Sequence, residues 1–252
     1  MSNKQTIYGT AFVLVAAGIA VWAYQAFLKP AGSCTDGMRN QGEEKADCGG
    51  PCTPCEIVEL QPLRVTKEPN VLTSAGGNVA LFEVLNPNRD YAARSAPYSL
   101  KIFESGGRMI EEVAGELSVP SLRRALVLER GVKTFSKSIA RIEFSVGEPR
   151  WERSFSALFP SLSLSSGPFS VASGTTIRVS GSVKNDGSAD ASGIEIIAVV
   201  SDQYGKELYA SRSVLSSVPA SSVRDFSVAF PADALLARLI DPGNTRVVIQ
   251  AE

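Results

Sequence analysis

The 252-residue chain contains no histidine, and its absence excludes whole classes of chemistry. Ser-His-Asp and Cys-His catalysis, zinc sites with histidine ligands and histidine pH switches all need that side chain. The 25 basic and 26 acidic residues are interspersed and give a net charge of −1, which argues against nucleic-acid binding. The run Ser136-Lys137-Ser138 has no second motif to complete a catalytic site. We therefore expect a protein that is not an enzyme.

Charge is also missing from a long segment near the N-terminus, residues 5–28. Its core, residues 7–28, meets the requirement of about 20 residues for a helix that crosses ~30 Å of hydrocarbon. We predict a transmembrane helix over 7–28 that follows a cytoplasmic tail, residues 1–6. A cleaved signal peptide is the alternative. It would have a shorter apolar region and a small-residue cleavage site, which FLKP at 27–30 does not provide.

Cysteine is scarce, and its position indicates the orientation of the chain. All four cysteines lie just after the apolar segment, and none occurs later. Disulfides persist mainly in oxidising compartments. We therefore expect a single-pass protein of the cell membrane, with its N-terminus inside and residues 29–252 extracytoplasmic.

The cysteines define a polar cassette, residues 34–55 (CTDGMRNQGEEKADCGGPCTPC). A short segment of this polarity cannot build an apolar core, so cross-links must replace one. We predict two disulfides, and the sequence leaves all three pairings open. Four-cysteine zinc and a CxxC redox site are alternatives, but the spacing is untidy for zinc and prolines surround the CxxC. The cysteines concerned are Cys34, Cys48, Cys52 and Cys55.

The cassette also carries four oxygen-bearing side chains at regular spacing: Asp36, Asn40, Glu43 and Asp47. Calcium takes six to eight oxygen ligands, and clustered carboxylates supply some of them. A calcium site on these four residues is one interpretation, and calcium is the cofactor that the sequence suggests. The interpretation that we favour is that Asp and Asn cap turns while Glu43, Glu44 and Lys45 form a solvated face.

The cassette pattern, C-x-D-G-x-x-N-x-x-E-x-x-x-D-C-G-G-x-C-x-x-C, is present in full. It resembles the short cysteine-rich segments of surface-exposed and secreted bacterial proteins. The resemblance implies an extracytoplasmic location and a disulfide-held knot. It does not imply an enzyme.

An internal repeat with a spacing of about 99 residues follows Glu56. Agreement at separated points indicates two homologous domains, which we place at residues 57–158 and 160–252. The junction between them, residues 149–160, carries aromatics between prolines, so we expect it to be packed and semi-rigid. The matched segments are VLN at 84–86 with VKN at 183–185, SVP at 118–120 with SVP at 217–219, and, with a slip of one residue, Leu126 and Leu128 with Phe226 and Val228.

Within each copy, apolar and polar residues alternate over short segments separated by Asn, Gly and Pro, which is typical of antiparallel strands. Residues 178–183, 139–144 and 246–249 are clear strands, and only 233–240 (DALLARLI) is helical in pattern. Six or seven strands per copy predict a two-sheet sandwich. The predicted fold class is all-β: two tandem immunoglobulin-like antiparallel β-sandwiches, preceded by the helix and the disulfide-rich knot.

Asparagine ends a strand in each copy, at Asn86 and Asn185, and we expect an Asx-type turn there. The second copy resembles the FxLYD family of immunoglobulin-like sandwiches, which are similar to the sandwich domains of late-embryogenesis-abundant proteins. The first copy matches less well, because Glu104 replaces an aspartate. The resemblance implies a binding or spacer module without catalytic residues. Its motif positions here are Val183, Asn185, Asp202, Gly205, Lys206, Val218 and Pro219.

Together these features predict a membrane-anchored, surface-exposed protein that acts as a spacer or protein-binding arm toward a protein of the cell envelope. The alternative is an accessory subunit of an envelope machine, such as a pilus or secretion complex. In that case small residues of the apolar segment would pack against partner helices. Those residues are Ala16, Ala17, Gly18 and Ala20.

Overall fold

The computed structural model describes residues 3–24, 33–74, 76–133, 139–154, 161–173, 176–231 and 234–251. The chain forms two compact units, residues 1–60 and 61–252. The first contains helix α1 (Asn3–Ala23), the cassette and the short helix α2 (Cys55–Val58). The second is built mainly from strands, with helix α3 (Ala234–Leu239) and a 3-10 turn (Pro242–Asn244) near its end.

Helix α1 covers much of the apolar segment but does not match the predicted span. Its first four residues are polar, so its apolar part runs from Ile7 to Ala23. At 1.5 Å per residue that part is about 26 Å long, against ~30 Å of hydrocarbon. In the part of the chain that the structure describes, no helix combines the length and apolarity needed to cross a membrane. The predicted transmembrane helix over 7–28 is therefore not supported, and residues 25–28 lie outside the described ranges.

Alternation between buried and exposed side chains, which the sequence predicts, is clear in strands such as Thr176–Asn185, whereas Gly77–Leu85 and Ala191–Ser201 are buried over most of their length. The strands expected at 178–183, 139–144 and 246–249 are confirmed, as is the helix within 233–240. Residues 155–160, at the expected domain boundary, lie outside the described ranges. The strands are β1 (Arg64–Ser74), β2 (Gly77–Leu85), β3 (Tyr91–Glu104), β4 (Met109–Val119), β5 (Arg124–Val132), β6 (Ile139–Val146), β7 (Arg150–Arg153), β8 (Leu162–Ser173), β9 (Thr176–Asn185), β10 (Ala191–Ser201), β11 (Glu207–Val218), β12 (Val223–Pro231) and β13 (Arg246–Ala251).

Every strand pairing is antiparallel in the described sheets, so the all-β class is confirmed. The first copy of the repeat supplies the sheet β1-β2-β5 and the sheet β4-β3-β6, in which β7 also pairs with β3. The second copy supplies β12-β9-β8 and β11-β10-β13. Each copy therefore contains two sheets with the same strand order.

The strand register corrects the repeat alignment after β2 and β9. Val84 pairs with Ala125, and Val183 pairs with Arg224. Since both partners are also 99 residues apart, the spacing continues unchanged, and the predicted slip of one residue is wrong. The corrected matches are Leu126 with Asp225 and Leu128 with Ser227, in place of Phe226 and Val228.

The slip of one residue in the predicted alignment arose because Leu126 and Leu128, on one face of their sheet, were matched with apolar residues that lie on the other face of the equivalent sheet. Phe226 and Val228 are buried on β12, on the face opposite to Asp225. Leu126 of β5 lies on the face opposite to Ala125, which packs in the core of the first copy. A shift of one residue moves every side chain of a strand to the other face of its sheet.

The two copies pack together through a pair of sheet faces. Strands β2 and β10 are buried over most of their length, on both faces. One buried apolar cluster joins Leu81, Leu126 and Leu128 of the first copy to Ile197 and Val199 of the second. The sheet β1-β2-β5 therefore packs on the sheet β11-β10-β13, which gives the unit four sheet layers.

Candidate functional sites

The cassette contains two disulfides, Cys34–Cys52 and Cys48–Cys55. The prediction that all four cysteines form disulfides is confirmed, and the structure supplies the pairing that the sequence left open. Zinc binding and thiol redox chemistry both need a free thiolate. In the disulfide form the sulfurs offer none, so neither alternative describes this state of the cassette.

Glycine makes the crossed pairing sterically feasible at the centre of the cassette. Gly49 and Gly50 have φ angles of +81° and +60°, a region that other residues rarely adopt. A Cβ atom on Gly50 would lie 2.4 Å from the carbonyl oxygen of Gly42. The chain can therefore turn between Cys48 and Cys52 only with glycine at this position.

Glu43 takes the place that an apolar side chain would hold in a larger domain. It is only 3% exposed, so the expectation that it faces solvent with Glu44 and Lys45 is wrong for this residue, although the other two are exposed. One carboxylate oxygen accepts hydrogen bonds from the backbone N–H groups of Asn40 at 3.1 Å and Asp47 at 3.3 Å. The other oxygen lies 3.2 Å from Sγ of Cys52. The carboxylate thus connects two segments of the cassette beside a disulfide.

Asp36 caps the first turn of the cassette. Its carboxylate accepts hydrogen bonds from Nδ2 of Asn40 at 2.9 Å and from the backbone N–H of Met38 at 2.9 Å. The Asn40 hydrogen bond, followed by the backbone hydrogen bonds, lowers the pKa of Asp36 below its ordinary value of 3.8. Asp36 is therefore ionised at neutral pH and already has donors for its charge.

The structure brings the four residues considered for calcium into one hydrogen-bonded network. Both carboxylate oxygens of Asp47 accept from the backbone N–H of Gly37, at 2.9 and 3.0 Å. Among the described residues, the metal-ligating side chains that converge are Cys34, Glu43 and Cys52, and the two sulfurs are bonded to each other. The observed contacts are those of turn capping, and the calcium site stays a prediction.

A second cluster of charged residues lies between the two copies. Glu83 of β2 has a side chain that is 10% exposed. It accepts a hydrogen bond from Oγ1 of Thr66 at 2.8 Å and pairs with Arg124 at 3.2 Å and Arg246 at 3.3 Å. Burial favours a raised pKa for Glu83, but the Thr66 hydrogen bond and the two guanidinium groups outweigh it and lower the pKa below 4.5. Glu83 thus ties β5 and β13 together as an anion.

Arg246 extends this cluster to a second carboxylate, Glu207, at 3.8 Å, and Glu207 also pairs with Lys67 of the first copy. A groove of about 790 Å³ opens beside these residues. The junction of the two copies therefore has an apolar centre and, at this end, a charged rim.

Gln250 of β13 makes a further set of bonds across the junction. Its amide oxygen accepts from the backbone N–H of Leu126 at 3.2 Å, and its amide nitrogen donates to the carbonyl of the same residue at 2.8 Å. The nitrogen also donates to Glu195 at 2.7 Å, and Glu195 pairs with Arg212 at 2.6 Å. One side chain thus satisfies backbone groups of β5 that a neighbouring strand would otherwise satisfy.

The sequence did not predict the clusters around Glu83 and Glu195, although it contains a signal for both. Glu83 interrupts the apolar run VALFEVL, and Glu195 interrupts IEIIAVV. A charged residue within a run that is otherwise buried needs partners, because an unpaired buried charge is costly. The partners of Glu83 are Thr66 and Arg124 of its own copy and Arg246 of the other copy. Glu195 pairs with Arg212 and Gln250, which belong to its own copy. All of these partners lie on other strands, at least 17 residues away along the chain, so no local pattern reveals them.

Comparisons with known proteins do not assign the chain to a family. No family and no curated protein matches it. Among solved structures, it is similar to the exo-chitosanase of Amycolatopsis orientalis, with 13% identity and a TM-score of 0.24, over 74% of this chain and 26% of that one. Red sea bream transglutaminase has 11% identity and a TM-score of 0.24, over 76% and 31%.

A third similar structure is the tandem CBM22 domain pair of Paenibacillus barcinonensis Xyn10C, with 11% identity and a TM-score of 0.23, over 76% of this chain and 86% of that one. The chain spans less than a third of the chitosanase and the transglutaminase. At these TM-scores, the likenesses carry no argument about function.

Proposed function

We propose that the protein is a non-enzymatic, extracytoplasmic binding module, held at the cell surface by its N-terminal apolar segment, with residues 61–252 acting as a protein-binding arm. The observation that carries the proposal is the pair of disulfides, Cys34–Cys52 and Cys48–Cys55. They hold together a polar segment that has no apolar core, and such cross-links belong to oxidising compartments.

Attachment to a membrane is supported by the surface of α1. Its large apolar side chains are exposed, among them Phe12 at 75%, Leu14 at 68% and Trp22 at 64%. Water contact with apolar surface costs about 25 cal/mol per Å². The segment therefore needs an apolar environment, and in this proposal lipid supplies it.

The packing of the two copies favours binding over spacing. A spacer gains reach when its domains follow one another end to end. Here the sheets β1-β2-β5 and β11-β10-β13 pack face to face, which shortens the unit and fixes its surface. The resemblance of the second copy to FxLYD-type sandwiches is compatible with this role, since it implies a binding or spacer module without catalytic residues.

The second candidate function is an accessory subunit of an envelope machine. It is favoured by small residues on α1: among the described residues, nothing beyond the adjacent residues and the helix's own backbone lies within 4 Å of a Cβ added to Gly18. Helices approach closely where small residues meet. In this version the apolar environment of α1 is a partner helix in addition to lipid.

Crosslinking in intact cells tests the proposal. The full chain, tagged at its C-terminus, is crosslinked with a reagent that does not cross membranes, purified under denaturing conditions and analysed by mass spectrometry. We expect crosslinks between residues 61–252 and a specific envelope protein. Crosslinks to several membrane subunits, in place of a single partner, favour the accessory role. Recovery of the chain alone contradicts both versions.

A further inference from the structure

The groove at the charged end of the junction combines features that a structural role does not require. It is lined by residues 67 and 70–73 of β1 and by residues 205–208 at the start of β11. Its volume, about 790 Å³, lies within the range of binding clefts. β1 is an edge strand that pairs with β2 on one side only, within the described sheets.

The charges that line the groove do not balance. Arg124 and Arg246 have side chains that are 61% and 44% exposed, and both share the carboxylate of Glu83. A guanidinium group has five N–H donors, so donors remain for a ligand. Four cations therefore face two carboxylates, namely Lys67, Arg124, Lys206 and Arg246 against Glu83 and Glu207.

A preorganised turn at the rim presents an exposed aromatic ring. Oδ1 of Asp202 accepts hydrogen bonds from the backbone N–H groups of Tyr204 and Lys206, at 2.9 Å each. Asn244 donates from Nδ2 to the carbonyl of Asp202 at 3.0 Å. The backbone is thus fixed, while the ring of Tyr204 is 85% exposed. Rigid tyrosines are enriched among the residues that dominate binding energy at interfaces.

The equivalent turn in the first copy shows that the fold requires neither the ring of Tyr204 nor an unpaired cation at Lys206. Residues 104–108 make the same two backbone hydrogen bonds as residues 202–206. Gly106 stands in place of Tyr204, and Arg108 is paired with Glu104 at 2.6 Å. Among the described residues, no carboxylate lies within ion-pair distance of Lys206. The exposed ring and the free cation are therefore additions specific to the turn beside the groove.

We infer that this cationic groove (residues 67, 70–73, 83, 124, 205–208 and 246), with Tyr204 on the adjoining turn, binds an acidic, extended segment of a partner protein. Carboxylates of the segment would pair with Lys206 and the two arginines, and Tyr204 would pack on its backbone. The free edge of β1 suits a polypeptide, because an extended chain can add to a sheet edge through its own backbone groups. The inference rests on the proposed function and names the surface and the chemistry of the partner.

The test uses the full chain in detergent and a fluorescein-labelled peptide of alternating glutamate and threonine. Fluorescence polarisation measures its Kd, and the same peptide with glutamine in place of glutamate is the ligand control. We expect Lys206→Glu to weaken binding about tenfold or more, since a charge reversal at an interface costs a charge pair and adds repulsion. Tyr204→Ala should weaken binding as well, and binding should decrease as salt is raised.

Arg108→Glu is the matched variant control, because it makes the same charge reversal in the equivalent turn of the first copy. It should leave the Kd unchanged, and circular dichroism of all three variants should match the wild type. Equal binding by Lys206→Glu and wild type, or equal binding of the glutamine peptide, overturns the inference. A sulfated polysaccharide that binds the groove more tightly than the peptide overturns the choice of a polypeptide.

The two proposals fail separately. Crosslinks from residues 61–252 to an envelope protein, together with no binding of the acidic peptide, refute the groove and leave the proposed function standing. Peptide binding that is lost in Lys206→Glu, together with no crosslinked partner in cells, supports the groove and refutes the proposed arm.

Discussion

Nδ2 of Asn185 donates a hydrogen bond to the carbonyl of Val218 at 3.0 Å, deep in the second copy. Asn86 donates to Val119 at 3.2 Å in the first copy, and both asparagines are fully buried. Each Oδ1 also accepts from the backbone N–H two residues later, at 3.0 Å for Asn86 and 2.9 Å for Asn185. The predicted Asx turns are confirmed, and each also fastens β2 or β9 to the end of β4 or β11.

Replacing Asn185 by alanine should destabilise the protein by about 2–4 kcal/mol, because it leaves buried backbone groups unpaired. Chemical denaturation monitored by tryptophan fluorescence measures the change. Asn70→Ala, at an exposed position of β1, is the control and should change stability by less than about 0.5 kcal/mol. Equal midpoints for the two variants would show that the buried amide has no structural role.

Gln250→Ala should loosen the junction of the two copies. It removes the amide that satisfies both backbone groups of Leu126, and it leaves Glu195 with one partner fewer. We expect a loss of about 1–3 kcal/mol in the free energy of unfolding and faster amide exchange at Leu126. Gln203→Ala, at an exposed glutamine in the turn between β10 and β11, should change neither quantity. Unchanged exchange at Leu126 in the Gln250 variant would contradict this assignment.

Glu83 should make stability depend on pH in the acidic range. Its pKa in the folded protein is below the ordinary 4.5, so the folded state favours the ionised form. The stabilisation is fully present above pH 4.5 and is lost as the pH falls through the lowered pKa. Unfolding free energies measured from neutral pH downward should therefore decrease below about pH 4.5, and less so for Glu83→Gln. A Glu83→Gln protein with the same pH profile as wild type would refute the role of this carboxylate.

The cassette provides a metal test. Because the carboxylates of Asp36, Glu43 and Asp47 already accept backbone or amide hydrogen bonds, we expect limited proteolysis of the cassette to proceed equally with calcium and with chelator. Asp47→Ala should speed cleavage in both conditions, since it removes the acceptor for Gly37. Protection by calcium that disappears in Asp47→Ala would establish the calcium site instead.

Much of the fold could be predicted from the sequence, because it rests on local patterns. Alternation identified strands such as β9, and cysteine content identified the disulfides. The sequence could not predict which cysteines are paired, because the pairing depends on the turn that the chain makes at Gly49 and Gly50. The four residues considered for calcium lie in one network, but their donors are mainly backbone N–H groups, which the sequence does not reveal.

The packing between the copies was missed for a different reason. Leu126 and Leu128 point away from their own sandwich, and matching them to the apolar residues Phe226 and Val228 produced the false slip. At the equivalent positions the second copy carries Asp225 and Ser227, with Asp225 accepting a hydrogen bond from Ser182 at 2.7 Å. The apolar face of β1-β2-β5 that points away from its own sandwich is therefore the face that packs on the second copy. The equivalent face of β12-β9-β8 is polar, because this sheet lies at one end of the four layers.

The central claim is that the cassette matures in an oxidising compartment, where an extracytoplasmic binding module would reside. The most direct test is thiol labelling of the denatured, non-reduced protein. Cells are lysed in acid, which stops thiol–disulfide exchange, and the protein is then labelled with a thiol-specific maleimide at neutral pH. We predict no labelled cysteine before reduction and labelling of Cys34, Cys48, Cys52 and Cys55 afterwards. Labelling of all four cysteines without reduction would contradict the account.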